Sequence, residues 1–329
     1  VFAIFDPRYT LPRLAAIELD KAGSLWYDTS MFDGFVGQKR ACALLCESIL
    51  YAKHMGRLPH LLLWSGTGGT GKSTLARAVA AEMSADIVTI NTLDARPSQI
   101  LTCLASYMGS KPLVIFLEEW NHPNKPLDAF LRPAMEEDRY LYDGLEYYLP
   151  NAKQISFIIA SNNKSVLPQP LLSRMDCIQM AEYSHDELDE IAHQHASKIN
   201  LSITYQALLE IVNRSKGIPR TIIRALDACL RHLVAHNILE IGYDRVCSVL
   251  ESLDLYYGGV DLLDIKILRL LVEHEALSLT ALCGMLNETP ETIRYQEGYL
   301  IKCGYMQITN KRRVLPAAHE LLDSIGSVL

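Results

Sequence analysis

The stretch Gly66-Thr67-Gly68-Gly69-Thr70-Gly71-Lys72-Ser73 restricts the fold of this chain more than any other segment. It fits the pattern G-x-x-x-x-G-K-[ST], whose glycines let the backbone turn its N–H groups inward around phosphate oxygens. The pattern has this meaning only between a strand and a helix. Leu61-Leu62-Leu63-Trp64 leads in as an apolar run, and Thr74-Leu75-Ala76-Arg77-Ala78-Val79-Ala80-Ala81-Glu82-Met83 leads out with high helix propensity, so a helix starts at Lys72 or Ser73. In that setting the backbone from Gly66 to Thr74 surrounds the phosphates of a nucleotide. Lys72 adds a charge near the β- and γ-phosphates, the Ser73 hydroxyl can ligate Mg²⁺, and the helix N-terminus adds a favourable dipole.

The surrounding sequence supplies the sheet that such a loop needs. Candidate strands at Leu61 to Trp64, Ile87 to Ile90, Leu113 to Leu117, Ile155 to Ala160 and Cys177 to Met180 alternate with helical segments, which predicts an α/β nucleotide-binding domain with a parallel sheet over residues 31–181. Beyond it the pattern turns helical, with segments at Ser184 to Ile199, Thr204 to Ser215, Arg220 to His236 and Tyr243 to Leu253, giving an all-α lid over 182–257. Ser184 and Glu187 fit a capping box, and Ser215-Lys216-Gly217-Ile218-Pro219 stops one helix and starts the next. After the break at Tyr256-Tyr257-Gly258-Gly259 come three short helices, Leu262 to Glu275, Ser278 to Leu286 and Pro290 to Lys302. A hairpin candidate, Tyr305 to Leu315, follows with Thr309-Asn310-Lys311-Arg312 near its tip, and the set predicts a C-terminal winged helix over 258–329. Residues 1–30, with Pro7, Pro12 and Gly23, read as an N-terminal extension.

Composition narrows the classes. Apolar content of 49% with 21% charge is globular rather than disordered. No apolar run approaches the ~18 residues that cross a bilayer, and the start lacks the charged-then-apolar order of a signal peptide, so a soluble, cytoplasmic protein is expected. Eight cysteines without a C-x-x-C pair fit reduced core thiols better than a zinc site. A net charge of −7 gives no global attraction to nucleic acid, so DNA contacts must come from local basic patches.

A second piece of chemistry lies downstream of the loop. Leu113-Val114-Ile115-Phe116-Leu117 is a buried-strand run ending in Glu118-Glu119. The first acid of such a pair can hold a Mg²⁺ shell, and the second can polarise an attacking water.

Phe35-Val36-Gly37-Gln38, the phosphate loop, Pro133-Ala134-Met135-Glu136-Glu137-Asp138, Pro170-Leu171-Leu172-Ser173-Arg174 and Gly217-Ile218-Pro219-Arg220 occur in the order seen in AAA+ ATPases. The chain most resembles the RuvB family of bacterial Holliday-junction branch-migration motors. Pro290-Glu291-Thr292-Ile293, Tyr299-Leu300-Ile301 and Gly304-Tyr305-Met306-Gln307 resemble that family's winged helix, and the resemblance runs from about Phe32 to about Leu321. It implies that Lys72 and Ser73 bind the phosphates of ATP and Mg²⁺, that Glu118 is the metal-holding acid, and that Glu119 is the catalytic carboxylate. Asn162 falls at the position that orients water near the γ-phosphate, although a turn role beside Asn163 is the plain reading of the residues alone. Arg174 stands where the family offers an arginine finger to the neighbouring subunit, with Asp176 as a competing ion-pair partner. Arg220 matches the residue that reports phosphate state to the lid.

The resemblance also implies an ATP-driven helicase-like motor acting as a homo-oligomeric ring, a hexamer in the family, on duplex or branched DNA. Lys311, Arg312 and Arg313 at the wing, joined by Arg294, are the expected DNA contacts. Tyr140, Tyr142, Tyr147 and Tyr148 are expected to pack locally as a strand face and turn, with stacking on bases as the alternative.

Several positions depart from the family. Thr67-Gly68-Gly69-Thr70 replaces the usual Pro-Pro-Gly, Glu118 stands for Asp, and Trp26-Tyr27-Asp28 replaces an arginine-proline pair. The stretch from Asp138 to Gln154 is shorter than the one carrying the hairpin that grips a junction-binding partner protein, so dependence on that partner is open. A diverged copy, for example on a mobile element, fits these changes. Two other functions stay in view: a loader or initiator ATPase that places another protein on DNA, and an ATP-binding structural subunit with weak hydrolysis.

Overall fold

Successive residues of a strand face opposite sides of the sheet, and a strand covered on both sides therefore needs an unbroken apolar run. The central strands here have that composition. The computed structural model describes residues 29–32, 34–107, 111–136, 138–149 and 151–326, so the expected extension lies outside the described residues up to position 28, Trp26-Tyr27-Asp28 included. The chain divides into two compact units, Val1–Gly66 with Lys72–Ala181, and Thr67–Gly71 with Glu182–Leu329.

In chain order the first unit contains α1 (Lys39–Met55), β1 (Leu61–Trp64), α2 (Lys72–Glu82), β2 (Asp86–Asn91), α3 (Pro97–Ser106), β3 (Leu113–Glu118), α4 (Lys125–Glu136), β4 (Arg139–Tyr142), β5 (Leu145–Tyr148), β6 (Ile155–Ser161), α5 (Gln169–Leu172) and β7 (Asp176–Gln179). Five strands form a sheet in the order β2-β3-β6-β1-β7, and every pairing within it is parallel. Leu62, Ile115, Leu117, Phe157 and Ile159 face one layer, where Ile100, Phe130, Leu131 and Leu171 of α3, α4 and α5 cover them. Leu61, Leu63, Val114, Phe116 and Ile158 face the other, under Leu45, Ile49, Leu75 and Val79 of α1 and α2. Each expected strand forms, with ends shifted by no more than one residue. The extension of β3 has a visible cause: Asn91 pairs in register with Glu118, which carries that acid onto the end of the sheet.

The shortened stretch after Asp138 still folds as an antiparallel hairpin, β4 with β5, closed by Asp143 and Gly144. Both turn residues have positive φ, 50° and 73°, as tight hairpin turns require. Tyr140 stacks on Tyr147 at 5.3 Å and meets Phe130 at 5.2 Å, so the local packing expected of the tyrosines holds for these two. Tyr148 is 73% exposed.

The second unit contains α6 (His185–Lys198), α7 (Tyr205–Asn213), α8 (Pro219–Ala235), α9 (Tyr243–Ser252), α10 (Leu262–His274), α11 (Leu279–Leu286), α12 (Pro290–Lys302), β8 (Met306–Ile308), β9 (Arg312–Val314) and α13 (Pro316–Ile325). The Ser184 hydroxyl accepts from the Glu187 N–H, and the Glu187 carboxylate accepts from the Ser184 N–H at 2.8 Å, so the capping box forms at the start of α6. One core joins α6 to α9 through Leu188, Leu208, Ile222, Leu226 and Leu250. Another joins α10 to α13 through Leu268, Leu282, Ile293, Leu300 and Leu321. Three helices, α10 to α12, precede the β8–β9 hairpin in the order expected of a winged helix, and Leu277 adds a bridge to Arg312 at the base of that hairpin.

The break expected at Tyr256-Tyr257-Gly258-Gly259 is a packed turn. A Cβ on Gly258 would lie 2.6 Å from Leu321 Cδ1, and one on Gly259 would lie 2.3 Å from the Tyr299 hydroxyl oxygen. Glycine is needed there for close approach as well as for its φ of +75° and +70°. All eight cysteines are free thiols. No helix among the described residues is long and apolar enough to cross a membrane.

Candidate functional site

The C-terminal end of the sheet collects polar groups from three neighbouring strands. Lys72 opens α2, and its ammonium donates to Ser65 Oγ and to Asn162 Oδ1, both at 2.7 Å. The next residue, Ser73, donates its hydroxyl proton to Glu118 Oε1. A cation, a hydroxyl and a carboxylate from the start of α2 and the end of β3 thus share one small region. The hydroxyl and carboxylate are hard oxygen donors, the type that Mg²⁺ takes.

Backbone pairing aims the two acids differently. Thr92 holds the carbonyl of Glu118 with its N–H at 2.9 Å and its hydroxyl at 3.0 Å, which fixes the strand end. Trp120 N–H then donates to the Ala160 carbonyl at 2.9 Å and returns the chain to β6. Glu119, caught between these anchors, takes a left-handed φ of 61° and stands exposed. Asn91 Nδ2 donates to Glu119 Oε2 at 3.1 Å and orients that carboxylate.

Asn162 and Asn163 divide the roles between which the sequence left Asn162 open. Asn163 caps the turn that follows, accepting from the Ser165 N–H at 2.9 Å. Asn162 instead places its carbonyl on Lys72, and its own N–H is held by Asn121 Oδ1 at 2.9 Å.

Arg174, for which an ion pair with Asp176 was the alternative to the finger role, follows α5. Its guanidinium pairs with Glu136 at the end of α4 and with the Pro170 carbonyl, and not with Asp176, which lies on β7. The side chain remains 27% exposed.

In the second unit, the loop residues Thr67–Gly71 lie against the α8 start. A Cβ on Gly69 would fall 2.7 Å from Ile218 Cγ2 and 3.2 Å from Arg220 Cβ, and Gly69 has φ +75°. The unusual middle of the loop therefore contains a glycine that the Gly217-Ile218-Pro219-Arg220 segment requires. Tyr183 donates its hydroxyl to the Thr70 carbonyl at 3.0 Å. Gly66 and Gly68 have open space where a Cβ would be, Gly71 turns the backbone with φ 94°, Thr67 is half-buried, and Thr74 is exposed on the first turn of α2. Arg220 is exposed, one residue after the proline that starts α8.

The basic residues of the wing divide. Lys311, at the tip, and Arg313 are exposed, as is Arg294 on α12. Arg312 is not at the tip. It lies in β9 and points inward, donating from Nε to Glu297 Oε1 at 2.6 Å, with the two side chains only 13% and 5% exposed. The expectation that it contacts DNA is corrected: strand alternation turns its neighbours outward and commits Arg312 to a buried ion pair. Ser65, Asn91, Glu136 and Glu297 were not anticipated, because register and helix ends, rather than sequence spacing, bring them to their partners.

Comparison with known proteins accounts for this arrangement. Residues 62–183 match the profile of the ATPase family associated with various cellular activities (AAA). Over 295 residues the chain is 30% identical to the Holliday junction branch migration complex subunit RuvB of Campylobacter fetus, covering 86% of this chain and 85% of that protein. The chain belongs to the RuvB family. The RuvB of Campylobacter lari is 29% identical over 88% of this chain and 89% of its own length. The structure of the Thermotoga maritima RuvB Holliday junction branch migration motor superposes with a TM-score of 0.73 at 27% identity, covering 88% of this chain and 95% of that one. The RuvB likeness thus reaches beyond the sheet into the helices that follow it.

Proposed function

We propose that this chain is an ATPase that works as a motor on DNA, joining copies of itself into a ring and driving branch migration at Holliday junctions. The observation that carries this reading is the linkage of the phosphate loop to two strand ends, Lys72 to Asn162 and Ser73 to Glu118, in a chain similar to RuvB along most of its length. The organisation we assign is a nucleotide domain over 31–181, a lid over 182–257 and a winged helix over 258–329. Relatives that move DNA junctions favour the motor over the loader and structural-subunit readings.

Lys72 and the loop N–H groups hold the phosphates, with the positive end of α2 behind them. Ser73 and Glu118 are the residues that would hold Mg²⁺, which when bound neutralises phosphate charge. Glu119 faces solvent at the end of β3 and accepts the proton of the attacking water, while Asn162 and Asn91 fix the direction of approach. Arg174 is offered to the nucleotide of the next subunit, where a guanidinium can stabilise transition-state charge on two oxygens. Arg220, beside Gly69 of the loop, reports phosphate state to the lid. Arg294, Lys311 and Arg313 bind DNA phosphates without reading sequence. The exposed β4–β5 hairpin is the surface we assign to a junction-binding partner, and a cytoplasmic location goes with this chemistry.

The test is ATP turnover measured with no DNA, with duplex and with a four-way junction, followed by strand exchange on the junction. Turnover stimulated by DNA is expected; its absence under every condition refutes the motor. In mixtures with Arg174→Ala, activity should fall below the wild-type fraction, and strict proportionality would argue against a site shared between subunits.

A further inference from the structure

Side chains from two separate segments of the second unit converge on Lys216. This lysine lies in the turn between α7 and α8, just ahead of Arg220, with φ 56° and a side chain only 11% exposed. Its ammonium reaches Asp261 Oδ2 at 2.6 Å, Asp264 Oδ2 at 2.5 Å and Gln296 Oε1 at 3.2 Å, so each of its three N–H donors has an oxygen. The Tyr299 ring centre is 5.3 Å away. Asp261 and Asp264 open α10 and cap it reciprocally, while Gln296 and Tyr299 project from α12.

The same neighbourhood is pinned by the chain itself. Tyr299 donates its hydroxyl to the Gly258 carbonyl at 2.9 Å, and a Cβ on Gly259 would sit 3.3 Å from the Asn213 carbonyl at the end of α7. Asp264 is fully buried. Burial opposes charge on Lys216, but Asp264 and Asp261 outweigh it and raise the lysine above its ordinary value; burial likewise pushes Asp264 up to about 6. Sliding α10 past the α7–α8 turn would leave the buried Asp264 carboxylate without its cation, which is strongly unfavourable, and sliding α12 would break the bonds from Gln296 to Lys216 and Asp261. The turn, α10 and α12 therefore move together. The α12 end of this block carries Glu297, which holds Arg312 of the wing, and the other end carries Ile218 and Arg220, which touch Gly69.

We propose that Lys216 is a positioning residue that couples the winged helix to the start of α8, so that DNA held by Arg294, Lys311 and Arg313 changes the placement of Arg220 against the phosphate loop and with it the rate of ATP hydrolysis. The inference rests on the motor reading and adds to it the route by which DNA is sensed.

The experiment compares ATP turnover with and without duplex DNA for the wild type, for Lys216→Met and for the double variant Lys216→Met/Asp264→Asn. The single variant strands the Asp264 charge. The double variant does not, because an asparagine carbonyl can still cap α10, so it guards against loss of the fold. DNA stimulation of turnover should fall by about fivefold or more in both, the lower end of ordinary coupling between sites, while basal turnover and DNA affinity stay within about twofold. Stimulation retained in either variant, or restored in the double, would mean the cluster only supports the fold and would overturn the proposal. A wild type without DNA stimulation would overturn both this inference and the motor; a stimulated wild type with equally stimulated variants would overturn the coupling alone.

Discussion

Lys311, Arg312 and Arg313 are consecutive cations that should give opposite results when removed. Lys311 and Arg313 are exposed, and each neutralised phosphate contributes about 0.9 to the slope of log K against log salt. Removing both should lower that slope by roughly 1.8, which at 0.1 M salt is roughly a 60-fold loss of affinity relative to a 1 M reference. Unfolding should be unchanged. Arg312→Ala instead leaves Glu297, 5% exposed and bonded to Arg312 at 2.6 Å, as a carboxylate without a partner cation. Breaking a buried pair in this way costs about 3–5 kcal/mol, so the variant should unfold at markedly lower denaturant while its salt slope, measured where it is folded, stays the same. Fluorescence anisotropy with labelled duplex across a salt series, paired with denaturant unfolding, reads both quantities. If Arg312→Ala lowers the slope by about 0.9 and leaves stability intact, the inward assignment of Arg312 is wrong.

Three further outcomes follow from contacts in the two units. Burial, aided by the Arg57 charge, holds His60 down to about 4 from 6.5, so the folded state binds its proton later than the unfolded chain does. Stability is full above about 6.5 and declines as pH falls toward 4, by roughly 3 kcal/mol in total; His60→Gln should flatten that limb, and an unchanged limb would assign it to other groups. Gly69→Ala places a methyl 2.7 Å from Ile218 Cγ2 on a left-handed backbone that alone costs about 1–2 kcal/mol, so nucleotide affinity should drop by about tenfold or more in a fluorescent-nucleotide titration, and wild-type affinity would show that the contact yields. Asn91→Ala, which frees the Glu119 carboxylate, should lower kcat by about tenfold at constant KM, against the ~100-fold or more expected for Glu119→Ala; a rise in KM with kcat intact would make Asn91 a binding residue.

The parts of the molecule that were legible in the sequence are those governed by local chemistry. A strand buried on both faces must be apolar throughout, so β1, β3 and β6 could be read directly, and the loop from Gly66 to Ser73 carries its function in its spacing. Contacts set by register were not legible. Asn91 reaches Glu119 because β2 pairs with β3 at a particular offset, which no single strand encodes. Asp176 was the competing partner that proximity in sequence offers Arg174, yet the end of α4 brings Glu136 to it from further away. The shortened stretch after Asp138 did not reveal its own conformation, and Asp143 and Gly144 suffice to turn a hairpin there. Arg312 was grouped with its neighbours because a charge run gives no sign of which member faces the core.

Glu119 occupies a left-handed φ of 61°, a conformation that glycine, asparagine and aspartate enter more readily than glutamate. Folding alone would thus prefer another residue at the end of β3. A laboratory lineage selected only for heat resistance should exchange Glu119 early, gaining stability as it goes silent. With Glu119 as the proposed catalytic carboxylate, lineages that must keep hydrolysing ATP should retain it against that gradient.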